Sequence, residues 1–140
     1  MKRLALTFVL GMTVLSGFSS ASLAQQSTQE VWQHHINAWQ ARDLEGIVAD
    51  YTPDAYVILN NDVYQGKAAI KGLFAKLFST FDRATQHEID PALVLGKLVY
   101  ITWRAEIDQR AIPMGTDTFV IENGKITYQT ITSNPKLFTK

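Results

Sequence analysis

The chain has 140 residues, with thirteen Lys and Arg against thirteen Asp and Glu, 46% apolar residues and no cysteine. A balanced charge without a basic run excludes the polycationic surface that nucleic acid needs, and the missing cysteines exclude a disulfide framework and a lipid-attachment thiol. Stability must come from packing, and the length suits one domain.

The chain opens with Met1-Lys2-Arg3, an apolar stretch from Leu4 to Phe18 broken by Gly11, Thr13, Ser16 and Gly17, and small residues closing at Ala21-Ser22-Leu23-Ala24. This is the build of a secretory signal peptide, and it is shorter than the ~20 residues of a spanning helix. Residues 1–24 are therefore predicted to be removed, leaving 25–140 as one exported domain, periplasmic or secreted and free of the membrane after processing. Its eleven basic and thirteen acidic residues give nucleic acid no purchase.

The first helix of that domain is predicted to start at Ser27, as N-cap of a capping box with Glu30. Its stripe is Val31, Trp32, His35, Ala38 and Trp39, the spacing of one buried face, with His35 between two tryptophans. His34 lies about 100° round the helix, so the adjacent histidines do not converge on a metal, and no other spacing points to one. The plain alternative for His35 is a core histidine hydrogen-bonded to a backbone carbonyl. Asp43 caps a second, short helix, Leu44 to Tyr51, with Leu44, Ile47, Val48 and Tyr51 inward. Thr52-Pro53-Asp54 reads as the turn that ends it, with Asp54 structural. A hairpin follows, Ala55 to Leu59 and Val63 to Gln65 around Asn60-Asn61-Asp62.

The third helix, Lys67 to Phe81, carries Ile70, Leu73, Phe74, Leu77, Phe78 and Phe81 on one stripe and must lie on a sheet. From Gln86 the pattern turns to strands, with a turn at Gly96-Lys97. Leu98 to Asp108 alternates Val99, Ile101, Trp103, Ala105 and Ile107 with Tyr100, Thr102, Arg104, Glu106 and Asp108, so the second set is a solvated face or a dimer contact. The clearest hairpin closes the chain: Gly115 to Glu122 and Ile126 to Ser133 joined at Asn123-Gly124, which supplies the positive φ values of a tight turn. There Asp117 shares a face with Phe119 and Ile121. An aspartate on an apolar face must be hydrogen-bonded, paired or protonated, because burying a bare charge is too costly.

These elements make an α+β domain: two short N-terminal helices, a strand pair, a long helix, then antiparallel strands. Trp39, Asp43-Leu44, Tyr51-Thr-Pro-Asp54-Ala55, Gly66-Lys-Ala-Ala-Ile70 and Gly115-Thr-Asp-Thr-Phe-Val-Ile-Glu-Asn-Gly-Lys-Ile126 resemble the SnoaL-like branch of the nuclear transport factor two superfamily, over about Thr28 to Ser133. The resemblance implies a cone-shaped, curved antiparallel sheet wrapped around the long helix, a mostly apolar pocket at the wide end, frequent homodimers and a range of activities that includes cyclases, isomerases, dehydratases and hydrolases. Within the same fold, ketosteroid isomerases use a carboxylate base and an oxyanion hole of a tyrosine and a protonated aspartic acid. Resemblance places that tyrosine at His35, the base at Leu59 and the acid at Asp117. Leucine cannot abstract a proton, and the nearest carboxylate, Asp62, belongs to the following turn.

Three functions follow. A small-molecule-binding domain would use the pocket without chemistry, with Trp39, Tyr51, Tyr56, Phe74, Phe78, Trp103, Phe119 and Tyr128 as its walls and no metal or cofactor. A proton-transfer or hydrolytic enzyme would add His35 and Asp117 as catalytic groups, facing each other across the pocket, acting on a small apolar substrate. A dimeric interaction domain would fill the pocket with its own side chains and pair through the face carrying Tyr100, Arg104 and Glu106. A cavity of ~300 Å³ or more with converging polar groups separates the first two from the third. Export is tested directly: the mature protein should begin at Gln25 by N-terminal sequencing, and recovery of an intact Met1 form from the membrane fraction would show a retained anchor instead.

Overall fold

The computed structural model describes residues 20–83, 85–107 and 110–133. The greater part of the predicted signal peptide, residues 1–19, lies outside the described residues. Helix α1 spans Ser20–Ala41, 22 residues, so it is the longest helix rather than a short one, and Ser27 is an interior position rather than its cap. Nothing between Ala21 and Gln26 breaks a helix, so the helical backbone runs on upstream of the expected start. The predicted stripe faces inward: Trp32, His35 and Ala38 are buried and Val31 and Trp39 half-buried.

Arg42, at φ 58, turns the chain sharply after α1. Its guanidinium donates to the carbonyls of Phe78 and Phe81 and lies 4.6 Å from the centre of the Phe78 ring, which seats a cation on the C-terminal carbonyls of the third helix. Helix α2, Leu44–Ala49, is capped as expected by Asp43, whose carboxylate accepts from the Gly46 N–H at 2.9 Å. It ends two residues before Tyr51, which starts strand β1, Tyr51–Leu59. The predicted turn at Thr52-Pro53-Asp54 is instead a bulge inside β1. Ladder pairing to the last strand stops after Tyr51 and resumes at Tyr56, so Pro53 sits where no backbone donor is required. Asp54 is exposed there.

Strand β2, Asp62–Gln65, returns antiparallel to β1, and helix α3, Gly66–Thr80, packs Ile70, Leu73, Phe74 and Leu77 into the core. Strands β3, Gln86–Ile89, and β4, Leu93–Leu95, lie along the same edge of β5, Leu98–Ile107, interrupted at Asp90-Pro91. Strands β6, Arg110–Glu122, and β7, Lys125–Thr132, form the closing hairpin, with Asn123 at φ 51 and Gly124 at φ 74. All belong to one seven-stranded sheet in the order β2-β1-β7-β6-β5-β3, with β4 also on β5. The sheet is curved and unclosed. One pair departs from the expected antiparallel pattern: β1 and β7 run parallel, because the first hairpin and the last meet edge to edge after the whole chain has crossed between them. The core lies between the helices and the sheet face carrying Val57, Val99, Ile101, Trp103, Phe119, Ile121 and Ile131.

Candidate functional site

Helices α1 and α3 and the inner face of the sheet enclose a cavity of about 70 Å³. Trp32, Ile36, Trp39, Phe74, Leu77, Phe81, Ile89, Ile101, Trp103, Phe119 and Ile131 make its walls apolar, and the polar side chains reaching it are His35, His87, Asp117 and Gln129.

Asp117 is buried on β6 because strand alternation puts it on the same face as Phe119 and Ile121. Two N–H groups meet its carboxylate: Trp103 Nε1 donates to Oδ1 at 2.8 Å and Gln129 Nε2 to Oδ2 at 2.8 Å. The Gln129 amide is oriented from its other side, where the buried Tyr51 hydroxyl donates to Oε1. Burial pushes the Asp117 carboxyl up to about 6, against the opposing effect of the bonds from Trp103 and Gln129. Burial, and next the neighbouring Asp117 and Asp50, hold the Tyr51 phenol well above its ordinary value, so it remains a donor.

The indole reaches Asp117 because its neighbour has no side chain. Trp103 and Gly115 are register partners on β5 and β6, and a Cβ built on Gly115 would lie 2.3 Å from the indole ring. The ring therefore lies across bare backbone and delivers its nitrogen two residues along the strand.

His35 projects from the buried face of α1 into an aromatic box, with its ring 5.6, 5.9 and 5.4 Å from those of Tyr51, Phe74 and Phe119, all edge-on. Its Nδ1 lies 3.1 Å from Oδ2 of Asp50, and His34 Nδ1 lies 2.7 Å from Oδ1 of the same carboxylate. The adjacent histidines thus do converge, on an aspartate rather than a metal. His35 and Asp117 line one cavity, but neither is the hydrogen-bond partner of the other: Asp50 serves His35, and Trp103 with Gln129 serve Asp117. The two groups share the cavity, as expected, without bonding to each other. His87, on β3, is packed against Phe81, Trp39 and Trp103, and burial, followed by the charge of Arg42, lowers its pKa and favours the neutral ring.

Of the predicted wall residues, Trp39, Phe74, Trp103 and Phe119 line the cavity. Tyr51 stands behind His35 and Gln129, and Phe78 lies between Trp39 and Arg42. Tyr56 and Tyr128 are on the outer sheet face, stacked at 5.7 Å, because the pleat of β1 and β7 turns them away from Val57 and Gln129. Leu59 is buried but is not part of the wall, and Asp62 is exposed at the start of β2. Asp50, Gln129 and His87 are missing from the sequence reading. Gln129 was recoverable, since the hairpin register sets it opposite Phe119 and diagonal to Asp117. Asp50 was not, because nothing in the helical stripe brings it beneath α1. Among the described residues no group of three or more His, Asp or Glu is placed to hold a metal ion.

The architecture, a curved sheet over helices with a buried carboxylate on its inner face, defines a nuclear transport factor two-like cone. The model of the SnoaL-like domain matches residues 32–129, and the chain belongs to that family. Among solved structures, it is similar to a protein of unknown function from Mesorhizobium loti described as NTF2-like, at 15% identity and a TM-score of 0.70, over 79% of this chain and 93% of that one. A protein from Jannaschia sp. CCS1 described as a SnoaL-like polyketide cyclase shares 17% identity at a TM-score of 0.68, over 78% and 86%. One from Kribbella flavida DSM 17836 described as a ketosteroid isomerase shares 13% at 0.67, over 78% of each chain. These likenesses establish the fold. No curated protein matches the sequence.

The Trp103–Gly115 contact makes a prediction about the floor of the cavity. Gly115→Ala should displace the indole and cost roughly 1 to 3 kcal/mol in urea unfolding, with a shift of the Trp103 Nε1–H resonance as its bond to Asp117 lengthens. A change within about 0.5 kcal/mol and an unmoved indole signal would show that the site does not depend on that glycine.

Proposed function

We propose that this SnoaL-like domain binds a compact, mostly apolar small molecule in the cavity between α1 and the sheet, as an exported, periplasmic or secreted protein. One observation carries the reading. A carboxylate is kept on the floor of an apolar cavity, held by two oriented donors, where an apolar residue would stabilise the fold more. By volume alone the third reading, an interaction domain with a filled pocket, is favoured: about 70 Å³ is well short of ~300 Å³. The ligand must therefore be small, a few times the ~10–15 Å³ that a single water requires. A second reading, proton transfer on such a molecule, is favoured by His35 and Asp117 reaching the same cavity, two titratable groups with different partners. Leu59 speaks against the base of a ketosteroid isomerase.

The dimer is also a proposal. On the outer sheet face Tyr56, Tyr128, Val120 and Leu98 stand in one cross-strand row, and Tyr128, Leu93 and Leu95 are 52%, 59% and 69% exposed. Such a surface suits a symmetric partner, although Arg104 is already held by Glu88 through two bonds of 2.7 and 2.6 Å. Light scattering should give a dimer mass that Tyr128→Lys reduces to a monomer; monomer mass for the unaltered protein at high concentration removes the idea.

Asp117 provides the test of binding. Its pKa in the fold, about 6, is above the ordinary 3.8, so the protonated form is favoured by folding. That contribution is fully present below about pH 4 and lost as pH rises through about 6, an amount on the order of 3 kcal/mol. Asp117→Asn should lack this pH dependence, match or exceed the wild-type melting temperature at pH 7.5, and lose the small molecule that native mass spectrometry finds on protein purified from its own host. A variant several kcal/mol less stable at that pH, with no ligand on either protein, would make Asp117 structural.

A further inference from the structure

The two side chains that the helix and the sheet direct at the cavity, His35 and Asp117, leave free valences of one kind. Asp50 is 6% exposed and is met by Nδ1 of both His34 and His35. A carboxylate only accepts, so His35 carries a proton on Nδ1, and in the neutral ring Nε2, on the far side, keeps its lone pair. No described residue hydrogen-bonds that atom, while the ring lines the cavity. The second polar group is of the same sign. Both Asp117 oxygens take an N–H from the protein and retain lone pairs for an occupant, and the Gln129 amide is held at both ends, by Tyr51 and by Asp117, with one N–H of its nitrogen left over. His87, neutral at the cavity edge, has one donor and one acceptor and sets no preference.

We propose that Asp50 is a positioning residue that fixes His35 as the Nδ1–H tautomer, so that the cavity offers two acceptors, His35 Nε2 and Asp117, and selects small apolar molecules bearing hydroxyl or N–H donors over ketones of the same shape. This rests on the small-molecule reading of the same cavity. A ketone placed there would bring its own acceptor against two others and leave His35 Nε2 buried without a donor, which is the costly arrangement. A hydroxyl satisfies one acceptor directly and, with a second donor, both.

Two measurements test it. Imidazole ¹⁵N NMR on the ligand-free protein at pH 8 should show His35 as Nδ1–H. In Asp50→Asn, where one of the two oxygens becomes an NH2 that donates, the imidazole facing it must accept on Nδ1, so part of His35 should appear as Nε2–H. His34→Ala, a change at an exposed position, should leave the Nδ1–H form in place. A wild-type His35 found as Nε2–H overturns the proposal without any variant. Cyclopentanol and cyclopentanone, matched in shape, are then titrated while the Trp103 Nε1–H shift is followed. The alcohol should bind about 10-fold more tightly, the equivalent of one hydrogen bond made rather than opposed, and Asp50→Asn should erase the preference. A ketone that binds as well as the alcohol overturns the ligand class alone. If neither probe binds, the class falls together with the binding reading.

Discussion

A carboxylate inside an apolar cone constrains everything around it. Asp117 needs donors at both oxygens, and the sheet provides them from the strands on either side: Trp103 from β5 and Gln129 from β7. Each donor imposes a further condition. The indole can lie flat only over a residue without a Cβ, which fixes Gly115, and the Gln129 amide can point its nitrogen at Asp117 only if something occupies its oxygen, which fixes Tyr51. The chain of conditions runs from one acidic side chain through three strands to the start of β1. A buried polar network of this kind is worth having only when no member is left without a partner, and here each one has at least one.

Asp50 repeats the pattern on the helix side. It stands where α2 gives way to β1, and its backbone carbonyl accepts from Ile126 N–H at 2.8 Å, which ties it to the first residues of β7. Its side chain then holds α1 through two histidines. A single residue thus joins the helical layer to the sheet, and the same contact decides which nitrogen of His35 is bare. Packing and chemistry are not separable at this position: the group that fixes the helix also sets the hydrogen-bonding character of the cavity.

Periodicity made most of the scaffold legible. The closing hairpin, the α3 stripe, the Asp43 cap and the burial of His35 and Asp117 follow from local rules, since alternation and 3.6-residue spacing act within a few residues. Partners were not legible in the same way. His35 lies 15 positions from Asp50 and Trp103 14 from Asp117, and those pairings arise only when strands and helices are assembled. The bulge in β1 hid for a related reason. Thr52-Pro53-Asp54 has the composition of a turn, and only the neighbouring β7 ladder, resuming at Tyr56, keeps the segment extended. Aromatic character alone points Tyr56 and Tyr128 at the pocket, whereas the pleat sets each beside an inward neighbour, Val57 and Gln129.

The fold shared with isomerases and cyclases is therefore occupied here by a different arrangement of polar groups. An aliphatic side chain, Leu59, stands on β1 at the position where the resemblance would put a base, and it is buried away from the cavity wall. The polar groups instead come from α1, β6 and β7, with their supports in α2, β1 and β5. A reacting or bound molecule would therefore be approached from the helix by an imidazole and from the sheet by a carboxylate, with aromatic rings on the remaining sides. That geometry would orient a small occupant by two polar contacts and surround it with apolar wall elsewhere, so selectivity would reside in hydrogen-bond sign more than in shape, because a cavity of about 70 Å³ leaves little shape to read.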